Sequence, residues 1–243
     1  MARRMTTRAD IQPVPLSLVE SDLAEAARRL GDSFRRTGFA VIEGHGIPDD
    51  GIEAAKAAAR ACFALPEAEK RRYHQAGGAG QRGYTPFGVE TAKGATLSDL
   101  KEFWHVGRDL PEGHRFSATM PPNIWPDDSV PEFRPAMQAL FAALDTAGRR
   151  VLRAIAVHLN QPADFFDSPV QDGNSILRLL HYPPVSPDAD AVRAGAHEDI
   201  NVITLLLGAE EAGLELLSRD GEWLAVPVTP GSLVVNVGDM LQR

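Results

Sequence analysis

The strongest constraint on the fold is a change of texture near Asp172. Before it, apolar residues recur at helical spacing. Met137, Leu140, Phe141, Leu144, Val151, Leu152, Ile155 and Leu159 form one stripe over about Pro131 to Asn160. A stripe of that length predicts a core helix against which a sheet can pack. After Asp172 come short β-rich runs: Ile176 to Tyr182, Val202 to Leu207, Gly213 to Leu217, Trp223 to Val228 and Ser232 to Val237. Turn residues such as Pro183-Pro184, Arg219-Asp-Gly221 and Thr229-Pro-Gly231 separate them. A helical half followed by regular short strands predicts a sandwich or barrel flanked by helices within one domain.

The first half punctuates itself clearly. Ser21 is the expected N-cap of a helix carrying Leu23, Ala26, Ala27, Leu30 and Phe34, and Gly38 its stop. Phe39 to Ile42 reads as a buried strand, ended by the turn Gly44 to Pro48. A second helix is expected from about Asp50 to Ala64 and a short polar one near Glu67 to Tyr73. Gly77 to Gly80 is a flexible loop. It lacks the strand-then-helix context and the Lys-Ser/Thr of a phosphate cradle. Residues 81 to 128 read as irregular, with strand pieces at Arg82-Gly-Tyr84 and Lys101 to Val106.

Composition excludes several function classes. A net charge of −8 argues against a nucleic-acid surface, which needs clustered Lys and Arg. No stretch approaches the apolar length of a membrane span. The single cysteine, Cys62, cannot form an intrachain disulfide or a cysteine metal cluster; in Ala57 to Leu65 it reads as a buried core thiol. This fits a cytoplasmic location. Met1 to Arg8 has basic residues but no apolar stretch behind them, and reads as a loosely attached end.

The chemistry centres on His197-Glu198-Asp199, just ahead of an apolar run. In extended backbone, residues two apart share a face, so His197 and Asp199 can aim together while Glu198 points away. An imidazole and a carboxylate are two of the three ligands of the facial triad of non-haem Fe(II). The triplet alone also fits a solvated surface turn. The remaining histidines have plainer readings. His45 bonds local backbone, His158 interacts with the end of its helix, and His74 and His114 are solvated. His181 faces away from Tyr182.

The segment around the triplet resembles the H-x-D metal motif of the iron(II)/2-oxoglutarate-dependent dioxygenases, isopenicillin N synthase-like subgroup. Ordered landmarks extend the resemblance along the chain from about residue 10: Gly38 to Pro48 with its His-Gly-Ile-Pro, Leu65-Pro-Glu-Ala-Glu-Lys70, Arg82-Gly-Tyr84 and Leu100-Lys-Glu-Phe-Trp104. Then follow Pro122-Asn-Ile-Trp-Pro126, Tyr182-Pro-Pro184, Asp220-Gly-Glu-Trp223, Pro230-Gly231 and Asn236-Val-Gly-Asp239. The resemblance implies a double-stranded β-helix, or jelly roll, packed on the long helix, in a single oxygenase domain spanning 1–243. The part to about residue 172 would be helical and the rest jelly roll, lacking its closing strands.

It also implies the site. His197 and Asp199 are metal ligands for Fe(II). Tyr182 lies near the cosubstrate, 2-oxoglutarate, with O2 as the other reactant. Arg82, Tyr84, Phe103 and His105 fall where members contact a small organic substrate, with core packing or surface pairing as the alternative for each. Leu180, on the strand face of Tyr182, replaces an Asn found in many members. No histidine follows His197, and the family's third ligand and its Arg-x-Ser carboxylate grip would fall beyond Arg243. The natural protein is therefore expected to be longer. The expected activity is oxidation of a small molecule coupled to 2-oxoglutarate decarboxylation. A non-catalytic jelly-roll protein or inactive fragment is the alternative, and a metal hydrolase a third, weakened by the absence of a general base other than Glu198.

Overall fold

Helix ends are set by local chemistry, and one differs from expectation. In the computed structural model, which describes residues 7–78, 80–89, 99–184, 194–207 and 213–242, Ser21 is the last residue of a short helix rather than a cap. Its hydroxyl bonds back to the Ser17 carbonyl at 3.1 Å. Asp22, with an extended φ of −154°, takes the cap and accepts from the Glu25 N–H at 3.0 Å. The following helix ends at Gly38, whose φ of 73° is the left-handed conformation that favours glycine.

In chain order the elements are β1 (Val14–Pro15), α1 (Leu18–Ser21), α2 (Leu23–Thr37), β2 (Phe39–Glu43), α3 (Asp49–Phe63) and α4 (Glu67–Lys70). A 3-10 turn at Arg71–Tyr73 follows, then β3 (Gly83–Thr85), β4 (Glu102–Gly107), α5 (Phe133–His158), α6 (Asp167–Gln171) and β5 (Ile176–His181). The last are β6 (Ile203–Leu207), β7 (Glu215–Leu217), β8 (Trp223–Ala225), β9 (Leu233–Val237) and α7 (Asp239–Gln242). The architecture is strand-rich with helices, as the change of texture predicted. Among the described residues of 81 to 128, the regular elements are the two strands expected there. The expectations for Met1 to Thr6, Ala79, residues 90–98, Arg193 and Arg243 lie outside the described residues.

The chain divides into two compact units that interleave in sequence. Unit 1 comprises Met1–Ile47, Leu144–Ser168 and Glu198–Arg243; unit 2 comprises Pro48–Ala143 and Pro169–His197.

Unit 1 holds a four-stranded sheet in the order β1-β2-β9-β6 and the hairpin β7-β8. The central strand β9 pairs antiparallel with both neighbours, Val234 lying opposite Val41 on one side and Leu206 on the other. Val41, Val234, Leu216, Val226, Ala9 and Ile11 pack into one apolar cluster, because alternate residues of these strands are apolar on the same face. The carboxyl-terminal turns of α5 belong here: Val151, Ala154 and Ala156 are fully buried, and a side chain at Gly148 would touch the Leu205 methyls. Leu159, expected on the buried stripe, is past the helix end and 44% exposed. The amino-terminal end is also tied down sooner than expected. Ala225 donates to the Thr7 carbonyl at 2.9 Å and accepts from Ala9 at 2.9 Å.

Unit 2 holds a three-stranded antiparallel sheet, β3-β4-β5. Trp104 of β4 lies opposite Tyr84 and Leu179 and packs tilted against Phe133, 5.1 Å between ring centroids. Tyr84, Trp104, Phe133 and Met137 are completely buried. Aromatic side chains of this size dominate the energetics of a small core.

Candidate metal and cosubstrate site

Each half of the metal triplet is held by hydrogen bonds in its own unit. In unit 2, His197 lies outside any strand, ahead of β6, which begins at Ile203. Its Nδ1 lies 2.8 Å from the Gly195 carbonyl oxygen. A carbonyl can only accept, so Nδ1 carries the proton and the lone pair is on Nε2. The Gly195 N–H in turn donates to Asp99 Oδ1 at 3.0 Å, and Asp99 Oδ2 pairs with Lys101 Nζ at 2.7 Å. Asp99 and Lys101 are both about 5% exposed. Burial pushes the Asp99 carboxyl up, but the Lys101 ammonium and the Gly195 N–H outweigh it and hold it below its ordinary range.

In unit 1, Asp199 Oδ2 accepts from the Thr204 hydroxyl at 2.6 Å and from Asn236 Nδ2 at 2.9 Å. The two donors are cross-strand neighbours, since Thr204 of β6 lies opposite Asn236 of β9. Asn201 Nδ2 donates to the Thr204 hydroxyl at 2.8 Å, leaving its single proton for Asp199. The Asp199 carbonyl accepts from the Asp239 N–H at 2.9 Å. Gly238 permits this: a side chain there would sit 2.7 Å from that carbonyl and 2.3 Å from the Asn201 carbonyl. Thr204 and Asn236 carried a legible signal that the sequence reading passed over. Each is a lone polar residue inside an apolar strand.

Both donors fit a divalent cation. Ligating imidazoles characteristically give their second nitrogen to a carbonyl or carboxylate, and ligating carboxylates are themselves hydrogen-bonded. Among the described residues no group of three His, Cys, Asp or Glu side chains is arranged to hold a metal.

Tyr182 stands half-buried just past the end of β5, and Leu180, paired with Phe103, is 39% exposed. The four residues offered as substrate contacts are placed differently from one another. Arg82 is 1% exposed and donates to Asn174 Oδ1 at 3.1 Å and to the Gln81 carbonyl at 2.8 Å. Tyr84 is fully buried, its hydroxyl donating to Glu102 Oε2 at 2.5 Å. Burial and that carboxylate raise the phenol's pKa. Phe103 is buried under the Arg178 guanidinium, 4.3 Å from the ring centroid. Half-buried His105 donates from Nδ1 to the Gly80 carbonyl at 2.5 Å.

Tyr84 belongs to a buried charge network that nothing in the sequence announced. Lys70 Nζ contacts Glu102 Oε2 at 2.6 Å, the Phe63 carbonyl at 3.2 Å and Glu67 Oε2 at 3.5 Å. These three acceptors match the three ammonium protons. Glu102 Oε1 lies 2.7 Å from His181 Nδ1, and that ring stacks on Phe63. Burial alone would raise the Glu102 carboxyl; Lys70, Tyr84 and His181 together hold it below its ordinary range. Cys62, fully buried as expected, has its thiol pushed up to about 12, mainly by burial.

Two other histidines depart from their sequence readings. His74 bonds the Tyr84 carbonyl at 2.9 Å and His114 pairs with Asp172 at 3.3 Å, so neither is simply solvated. His158 meets Arg35 at 3.1 Å. His45 follows expectation, its Nδ1 accepting from the Ile47 N–H at 3.1 Å.

Comparison with known proteins identifies the family. Residues 9–128 match the family described as "non-haem dioxygenase in morphine synthesis N-terminal", and residues 173–243 match the 2OG-Fe(II) oxygenase superfamily. A 2-oxoglutarate-dependent dioxygenase of Didymella fabae is 34% identical over 92% of this chain and 72% of its own length. Among solved structures, a 2OG-Fe(II) oxygenase family protein from Caulobacter crescentus is 55% identical, with a TM-score of 0.88 over 97% of this chain and 76% of that one. A Neurospora crassa protein solved with alpha-KG and thymine is 30% identical, with a TM-score of 0.82 over 100% of this chain and 77% of that one. The chain belongs to the 2OG-Fe(II) oxygenase superfamily, whose metal is Fe(II) and whose cosubstrates are 2-oxoglutarate and O2. It spans 65% to 72% of the length of the first curated relatives. Those relatives are dioxygenases or oxidoreductases by name, which disfavours the non-catalytic alternative.

Proposed function

We propose that this chain supplies His197 and Asp199 to the Fe(II) centre of a 2-oxoglutarate-dependent dioxygenase that oxidises a small organic substrate. The observation carrying this reading is that both donors are held by neighbouring groups: His197 through Nδ1 on the Gly195 carbonyl, Asp199 through Oδ2 on Thr204 and Asn236. Bound Fe(II) and 2-oxoglutarate supply oxidative decarboxylation of the keto acid coupled to O2 activation. The chain's own work is positional. Gly195 keeps the proton on Nδ1, so Nε2 is the coordinating nitrogen. Thr204 and Asn236 hold the Asp199 carboxylate with neutral donors, leaving its negative charge for a cation. Tyr182 is proposed to contact the keto acid.

The accompanying fold reading is a jelly roll packed on α5, supported by the nearness of Gly148 to β6, where an added side chain would meet the Leu205 methyls. A small-molecule substrate accords with the thymine bound by the Neurospora crassa relative. A cytoplasmic location accords with a lone, buried cysteine. Asp199→Ala tests the central claim: succinate formation from 2-oxoglutarate and Co(II) affinity should both collapse, and wild-type values for both would refute it.

A further inference from the structure

We propose that Asp99 is a positioning residue for His197: its buried carboxylate, acting through Gly195, decides which imidazole nitrogen carries the proton. The proposal rests on the reading of His197 as a metal ligand.

The geometry is a short relay within unit 2. Asp99 divides its two oxygens, Oδ2 to Lys101 at 2.7 Å and Oδ1 to the Gly195 N–H at 3.0 Å. Gly195 then presents its own carbonyl 2.8 Å from His197 Nδ1. Gly195 is thus fixed on its amide side by a residue 96 positions away, and on its carbonyl side meets the imidazole. Burying an ion pair gains little stability over a well-packed apolar pair, because desolvation offsets the attraction. Asp99 and Lys101 are buried all the same. Holding the amide ahead of a ligating histidine gives the buried Asp99 a task beyond its ion pair. Supporting groups behind a ligand commonly change metal affinity 10–100-fold when removed.

Two double variants isolate the Gly195 bond. Asp99→Asn with Lys101→Met removes both charges and keeps an acceptor at the Asp99 position. Asp99→Ala with Lys101→Met removes the charges and the acceptor. Nitrogen NMR of the imidazoles, with the His197 signals identified by their loss in His197→Gln, should show protonated Nδ1 in the unaltered protein and the Asn variant. The Ala variant should show a mixture of tautomers and about tenfold weaker Co(II) binding. Identical tautomers and identical Co(II) affinities in the two double variants would overturn the proposal. If His197→Gln bound Co(II) like the unaltered protein, the metal reading itself would fall, while the tautomer comparison would still decide the role of Asp99. Should the Ala variant not fold, the unaltered protein gives its own answer. A Gly195 amide protected from exchange supports the relay, and one exchanging as in a random coil refutes it.

Discussion

His197 and Asp199 are supported by opposite kinds of chemistry. The unit carrying His197 is threaded with buried charge: Asp99 with Lys101 behind the histidine loop, and Lys70 with Glu102, Tyr84 and His181 across β3, β4 and β5. In the unit carrying Asp199, the donors to Oδ2 are a hydroxyl and an amide set in an apolar sheet. The contrast has a physical sense. A cation at the same oxygen would compete with a metal for a carboxylate, and the donors to Asp199 Oδ2 are neutral.

The contrast can be broken most forcibly at Glu102. Glu102→Gln leaves the Lys70 ammonium buried without its anion and should cost about 3–5 kcal/mol, read as a lowered urea midpoint. Lys70→Met with Glu102→Leu should restore most of the loss, and failure to restore it would mean the network is structurally indispensable. On the neutral side, Thr204→Val should leave folding nearly intact while weakening Co(II) binding about 10–100-fold; titration followed by absorbance checks this. An unchanged affinity would show that the neutral donors serve the sheet alone.

A smaller effect concerns acid. The folded state holds the Glu102 carboxyl below its ordinary range. Its contribution to stability is therefore complete above that ordinary range and is lost as pH falls through it toward the lowered value. Urea midpoints should fall over that acidic window in the unaltered protein, and fall less in the Lys70→Met, Glu102→Leu double variant. Equal slopes would remove Glu102 from the account. The smallest effect is at Cys62. With the thiol pushed up to about 12, roughly one ten-thousandth is thiolate at pH 8. A thiol reagent should find it only after denaturant opens the unit, and prompt reaction in the native protein would show the charged interior to be accessible.

Much of the fold was legible because its signals are local. The left-handed stop at Gly38, the strand Phe39–Glu43 and the apolar runs between turn residues each declare themselves within a few positions. The shift of the α2 cap from Ser21 to Asp22 is a local competition, decided when Ser21 turned its hydroxyl back to Ser17. The candidate site was legible at His197 and Asp199 through the triplet and its ordered landmarks. Its supports were not. Lys70 and Glu102 are 32 residues apart, and Glu102 and His181 are 79 apart. A charged residue in a helix or strand carries no local mark distinguishing a buried partner from solvent. Thr204 and Asn236 were within reach, because a polar side chain in an apolar strand demands a partner.

The interleaving of the two units has a consequence for synthesis. The last residue of unit 2 is His197, whereas unit 1 recruits everything from Glu198 onward, including β6 and β9 of its sheet. During translation, the earlier half of unit 1, with β2 already formed from Phe39 to Glu43, must wait for β9, made almost two hundred residues later. Pairings of such long sequence separation are slow to form, and an unpaired apolar strand edge invites association with other chains. β2 is therefore a segment of the nascent protein that needs shielding at the ribosome.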